Sequence, residues 1–333
     1  MRNIIFSLIH SLGAPWILRK TRIKNREICV LMFHRISDEY DPLWQPMPVK
    51  SFRFLMKELS SKAQVISLQD IKKIDRYPNK PLVALSFDDG YMDFWENAVP
   101  ILADFGLPAH HNICPNLIDK KMPPWTQILN IFIQSNRNKD IDLPNGKNYK
   151  IRKKLNHLDI MFIYRELSTL TNESRNNWIN SLTHKIPESK ITKLMDWDQI
   201  RKCAKLGIHI GSHGMNHENI SKIEDENILL SEIEDSKKRI CKETGIEPLI
   251  FAFPKGLYNP LSMKFVKKSG YKIALLCGDM VTRFPENRKD FYILPRIDIC
   301  RSNWKEENLR LLGLHQKLKS WVRKTPYVLD RKD

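Results

Sequence analysis

Cysteine, acidic charge at one end and long apolar runs are the three things this chain is short of. The six cysteines (Cys29, Cys114, Cys203, Cys241, Cys277 and Cys300) are scattered, with no Cys-x-x-Cys pair. That spacing argues against a disulfide framework or a zinc knuckle and fits reduced thiols in a reducing compartment. No acid occurs in residues 1–26, which carry an apolar stretch up to Leu18 and then the basic run Arg19-Lys20-Thr21-Arg22-Ile23-Lys24-Asn25-Arg26. The apolar stretch is interrupted by His10, Gly13 and Pro15 and is too short to span a bilayer. Most of its charge follows rather than precedes it, and no small-residue cleavage site is present, so it does not have the form of a secretory signal. Residues 1–26 are therefore expected to form a basic amphipathic leader. No zinc finger, recognition helix or base-stacking sheet motif is present, and nucleic acid is not an expected partner.

What the chain does have is enough apolar content to pack, 42% of 333 residues, under a net charge of +17. A second basic amphipathic stretch runs from Asn308 to Lys324, with Leu311, Leu314, Leu318, Trp321 and Val322 at helical spacing. Both ends could touch an anionic membrane surface, or could pack on the domain with a solvated basic face. Without a signal sequence, the expected location is the cytoplasm, with the inner face of the membrane as the surface those ends would meet.

Between the ends, short apolar runs alternate with helical patterns. The run at 28–33 ends at His34, 82–87 ends at Asp88-Asp89-Gly90, and 208–210 leads into Ser212-His213-Gly214-Met215-Asn216-His217. Further runs at 109–114, 249–253, 274–277 and 292–298 complete the series. This rhythm predicts an α/β fold, an irregular (β/α) barrel of about seven strands with chemistry at the strand ends. Residues 116–194 break the rhythm. They are polar and helical, with a turn at Pro144-Asn145-Gly146-Lys147, and are expected to form a helical insertion covering one side of a cleft. The expected organisation is a leader at 1–26, a barrel at 27–300 containing that insertion, and a basic helix and tail at 301–333.

Two carboxylates and two imidazoles at strand ends suggest a hydrolytic metal centre. His213 and His217 are four apart, a spacing that on a helical turn aims both rings the same way, and one more oxygen ligand leaves a position open for water.

The blocks Ser86-Phe87-Asp88-Asp89-Gly90, Ser212-His213-Gly214-Met215-Asn216-His217, Phe251-Ala252-Phe253-Pro254-Lys255-Gly256 and Leu294-Pro295-Arg296-Ile297, in this order, resemble the polysaccharide deacetylases with the NodB homology domain, over Val30 to Asp298. The resemblance implies that Asp89, His213 and His217 bind a divalent metal, usually zinc although other divalent ions suit the same ligands. It implies that Asp88 is the general base and that a backbone N–H after Phe253 helps to stabilise the oxyanion. Where many members have Arg-x-Pro-Tyr, this chain has Ala252-Phe253-Pro254-Lys255. Arg296 is then the candidate to pair with Asp88. The motif order is similar to that of the permuted poly-N-acetylglucosamine deacetylase branch, in which the acid comes from an early Tyr-His. Here Phe33-His34 takes that position, with His315 as the competitor. The implied substrate is an N-acetylated sugar, and the expected cytoplasmic location would make it a nucleotide- or lipid-linked intermediate of surface polysaccharide.

Other readings of the same residues stay open. A carbohydrate-binding protein without activity is compatible with Ala252 and Lys255, and an amidase acting on a non-sugar acyl amine would use the same centre. His110 and His111 could add ligands, or could face the core and a neighbour. Trp125 and Trp197 could stack on a sugar ring or simply pack. Asp279 is a strand-end carboxylate without an assigned role.

Overall fold

The structure is a computed structural model that describes residues 2–155, 157–284, 292–299, 304–314, 316–318 and 328–329. The chain opens with helices α1 (Arg2–Ser11) and α2 (Ala14–Lys24) and enters strand β1 (Glu27–Phe33). Helix α3 (Val49–Lys62) leads to the edge strand β2 (Gln64–Val65), then β3 (Leu82–Asp88) and α4 (Val99–Asp104). Strand β4 (Ala109–Ile113) precedes α5 (Pro115–Lys120), α6 (Trp125–Ser135), the hairpin β5 (Asp140–Asp142) and β6 (Asn148–Lys150), α7 (His157–Ser168) and α8 (Asn172–Thr183). There follow α9 (Trp197–Lys205), β7 (Ile208–Ser212), α10 (Glu226–Leu230), α11 (Ser236–Thr244), β8 (Ile250–Ala252), α12 (Pro260–Lys268) and β9 (Ile273–Cys277). The last elements are β10 (Val281–Arg283), β11 (Ile293–Asp298), α13 (Trp304–Leu311) and β12 (Val328–Leu329).

Seven parallel strands, β1, β3, β4, β7, β8, β9 and β11, pair in a ring that closes where β1 meets both β3 and β11. This is the irregular barrel expected from the sequence. β10 and β12 extend the sheet at one edge and β2 at the other. Every residue of β1 and β3 is buried, as parallel strands covered on both faces must be.

Strand alternation decides which side chains reach the site. Ile28, Val30, Leu82 and Ala84 share one apolar cluster with Ile250, Ala252, Leu275 and Leu294. The alternate residues Cys29, Leu31, Phe33, Val83, Leu85 and Phe87 belong to a second cluster with α3 and α4. With a period of two, Ser86 and Asp88 on β3 and Arg296 on β11 continue the first set, the one that lines the barrel. Registry then sets their height. Phe33 pairs with Phe87, Asp88 with Asn112, Ile113 with Ser212, and Arg296 with Cys277.

The segment expected to be helical contains α5 to α8, as its periodicity predicts, but also the antiparallel hairpin β5–β6 around the turn at 144–147. Its strands are three residues long with Ile141 the buried position, too short for an alternating pattern to register. Trp125, Leu129, Phe132, Ile163 and Leu182 build a hydrophobic cluster of their own there.

At the C-terminal end the expected single helix from Asn308 is interrupted. α13 ends at Leu311, and Gly313 follows with φ of +91°. Leu309 and Leu312 are buried against Leu18 of α2, so this apolar face is already covered by the leader. Trp321, Val322 and Lys324 lie outside the described residues. No helix among the described residues is long and apolar enough to cross a membrane.

Candidate active site

Asp88 ends β3 at the mouth of the barrel and is 1% exposed. Arg296 Nη1 donates to Asp88 Oδ1 at 2.8 Å and to Ser86 Oγ at 3.1 Å, and Asn112 Nδ2 donates to Asp88 Oδ1 at 2.8 Å. Burial alone would raise the Asp88 carboxyl, but the Arg296 guanidinium outweighs it, with His213 and His34 adding to the effect, and holds Asp88 well below the usual carboxylate range. The neighbouring strand must come close to leave room for Asn112. A Cβ on Gly211 would lie 2.3 Å from Asn112 Oδ1 and 3.1 Å from the Ile250 carbonyl oxygen, which explains glycine there.

Arg296→Met should therefore destabilise the fold by about 3–5 kcal/mol near neutral pH, because it leaves a buried carboxylate without its counter-charge. In the native chain the Asp88 pKa is depressed, so its contribution is complete above the ordinary value of 3.8 and is lost as pH falls below it. The gap between native chain and variant should be widest at neutral pH and narrow in acid, where the orphaned carboxyl becomes protonated. Denaturant unfolding of both proteins across that range measures it. A gap that stays constant into acid would assign the loss to packing alone.

Asp89 turns away from the strand with φ of +77°, and its own N–H donates to the Asn112 carbonyl at 3.0 Å. Its Oδ1 is buried and receives no hydrogen bond. Facing that atom are His217 Nε2 at 3.4 Å and His213 Nε2 at 3.6 Å. His213 Nδ1 donates to the Ala252 carbonyl at 2.7 Å, which leaves the Nε2 lone pair directed at Asp89. Burial, reinforced by His213 and His34, pushes the His217 imidazole well below its ordinary value and keeps it neutral. A carboxylate oxygen with no donor, facing two imidazole nitrogens, is the donor set of a divalent cation. The three ligating atoms lie within 4.8 Å of one another, so they fit one ion.

The histidine block is not the helical turn that its spacing suggested. Residues 213–219 form a loop with Gly214 at φ of +79° and His217 at +58°. The two rings meet edge to face at 5.0 Å between centroids. Glu232, on the turn between α10 and α11, holds that loop by accepting the N–H groups of Met215 and Asn216 at 3.0 and 3.2 Å and the Asn216 side chain at 2.6 Å.

His34 lies one residue beyond the Phe33–Phe87 pair, just past the end of β1 and level with Asp88. Its ring packs against Trp44 at 4.9 Å, and it is an electrostatic neighbour of Asp88, Asp89 and His217. His315 lies outside the described residues. His110 and His111 are fully buried, and each accepts a backbone N–H, from Leu68 at 2.8 Å and Gly90 at 3.0 Å. Burial lowers both, His111 to about 3, and they hold loops rather than a ligand. Trp197 packs on the main core and donates to Asp119 at 2.7 Å. Asp279 accepts from Arg310 at 2.6 Å, which ties α13 to the sheet.

Trp125 stacks on Tyr164 at 5.1 Å, and the Lys255 ammonium sits 4.7 Å from both rings. Burial, with Arg175 and Lys222 nearby, lowers that ammonium to about 8. Arg175 in turn pairs with Glu218, the residue after His217. The insertion thus closes against the loops that carry the metal-ligand candidates. Sequence reasoning left out Asn112, Glu232 and this cation–aromatic cluster. Asn112 was within reach, since alternation along β4 puts it on the barrel-lining side, whereas Glu232 and Tyr164 make contacts of long sequence separation that no local pattern shows.

A family model described as polysaccharide deacetylase matches residues 75–274. The chain is 22% identical over 256 residues to YxkH of Bacillus subtilis strain 168, which is named for the polysaccharide deacetylases. That match covers 76% of this chain and 65% of the relative, so the chain spans just under two thirds of that protein's length. The Streptococcus pyogenes deacetylase PplD, solved in complex with acetate, superposes with a TM-score of 0.58 at 16% identity, over 85% of this chain and 96% of that one. IcaB from Ammonifex degensii superposes with a TM-score of 0.56 at 12% identity, over 86% and 97%. At these identities the superpositions show a shared fold.

Proposed function

Because the chain belongs to the polysaccharide deacetylase family, we propose that it is a metal-dependent N-deacetylase that hydrolyses the acetamide of an N-acetylated sugar in a surface-polysaccharide or lipid-linked glycan. The observation that carries this reading is the convergence of Asp89, His213 and His217 on one point, with the Asp88–Arg296 pair beside it.

A divalent cation held by those three residues, zinc being the expected one, supplies Lewis-acid polarisation of the acyl carbonyl and of water. Asp88 accepts the proton of the water whose oxygen bonds to the carbonyl carbon. Its second oxygen, Oδ2, is buried, lies 2.8 Å from Arg296 Nη1 and 3.7 Å from His213 Nε2, and faces the metal-ligand candidates, where a lone pair can take that proton. Arg296 keeps Asp88 ionised and fixes its rotamer. The Lys255 N–H, in the turn Pro254–Gly256 after β8, is the candidate backbone donor to the oxyanion. His34 gives a proton to the amine as the carbon–nitrogen bond breaks, and acetate and a free amino sugar leave.

Two measurements test this reading. Purified chain should release acetate and free amine from N-acetylglucosamine oligomers; no release with any divalent ion supplied would overturn the assignment. His34→Asn should lower the rate on such a sugar amide by about 10²–10⁴-fold. On an activated aryl acetate, whose leaving group needs no proton, it should lose much less. Equal losses on both substrates would remove His34 from the acid role.

A further inference from the structure

The leader helices have two faces of opposite character. On the inner face Leu18 is buried with Leu309 and Leu312, and Phe6, Ile9 and Ala14 pack over them. Arg22 is buried there with Glu27 at 3.9 Å. On the outer face Leu8, Leu12, Trp16 and Ile17 are 61, 75, 60 and 58% exposed. They flank the Gly13 turn that joins α1 to α2, with Leu8 and Leu12 before it and Trp16 and Ile17 after it. The Lys20 ammonium sits 3.8 Å over the Trp16 ring, with Arg19 beside it in sequence and Lys24 exposed one turn further on.

We propose that the α1–α2 hairpin docks the chain on an anionic phospholipid surface. Exposed leucines and an indole, flanked by cations and without one carboxylate in residues 1–26, match the apolar–anionic boundary of such a bilayer in both hydrophobicity and sign. A second copy is the less favourable occupant. Two leaders face to face would set like charges together with no acid in either segment to offset them. The interaction concerns a surface and not the reaction, so it stands or falls separately from the deacetylase reading. α2 leads into the start of β1 while the candidate site lies beyond its end, and docking leaves the strand ends uncovered.

Co-sedimentation of the full chain with vesicles tests the proposal. Phosphatidylglycerol-rich vesicles should bind at least about tenfold more tightly than pure phosphatidylcholine, with binding weakened by salt. A Leu12→Glu, Trp16→Glu double variant should lose at least about tenfold in binding with its thermal melt unchanged, because both side chains are exposed. An Arg19→Gln, Lys20→Gln variant should lose only the preference for phosphatidylglycerol. The proposal is overturned if the native chain shows no preference between the vesicles or the Leu12/Trp16 variant binds as well as the native chain. It is also overturned if that variant instead breaks a dimer of a chain that ignores vesicles.

Discussion

Asp88→Asn should lower acetate release by about a thousandfold or more, the upper half of what a positioned general base contributes. The amide has nearly the shape of the carboxylate and can keep its oxygen toward Arg296 Nη1 and Asn112 Nδ2 at 2.8 Å, while its NH2 takes the place of the oxygen that also lies 2.8 Å from Arg296 Nη1. What it cannot do is take a proton from water. The substitution also leaves Arg296 facing a neutral group in a buried site, and the variant should unfold at lower denaturant than the native chain. Rates are therefore to be compared on protein shown to be folded at the assay temperature. Retention of a tenth of the native rate by such protein would remove Asp88 from the reaction.

Removal of divalent ions should have an effect at least as large. After dialysis against a chelator, acetate release should fall to background and return on adding zinc or cobalt, since one carboxylate and two imidazoles accept either. Stability should fall together with activity. An ion that binds only the folded chain stabilises it by mass action. Without one, the buried Asp89 carboxyl is pushed up by desolvation, against which His34, His213 and Tyr91 act while the neighbouring Asp88 adds to it. A lower melting temperature in chelator, reversed by metal, is the readout besides activity. An unchanged melt and full activity after chelation would contradict the centre as assigned.

Much of this site was legible because it sits on strand ends. The apolar runs before His34, Asp88 and His213 set both the barrel and the height of the candidate site residues, and strand parity put Asp88 and Arg296 on the same inner surface. The identity of the ligand candidates came from motif resemblance, which local periodicity alone would not supply. Periodicity in fact misled at His213 and His217, where Gly214 and the positive φ of His217 let a loop, not a helix, aim the rings. Contacts between distant parts of the chain were out of reach. Glu232 under the histidine loop, the Lys255–Trp125–Tyr164 cluster and the burial of Leu309 and Leu312 under the leader each depend on three-dimensional packing.

In the proposed reaction the adjacent aspartates divide the labour: Asp89 would help hold the ion and Asp88 would move the proton. Metal content of Asp88→Asn and Asp89→Ala proteins, purified in parallel and loaded with zinc, tests it most directly. The first should hold about one zinc per chain and the second less than about a tenth of that. Equal retention in both variants, or loss in Asp88→Asn with retention in Asp89→Ala, would contradict it.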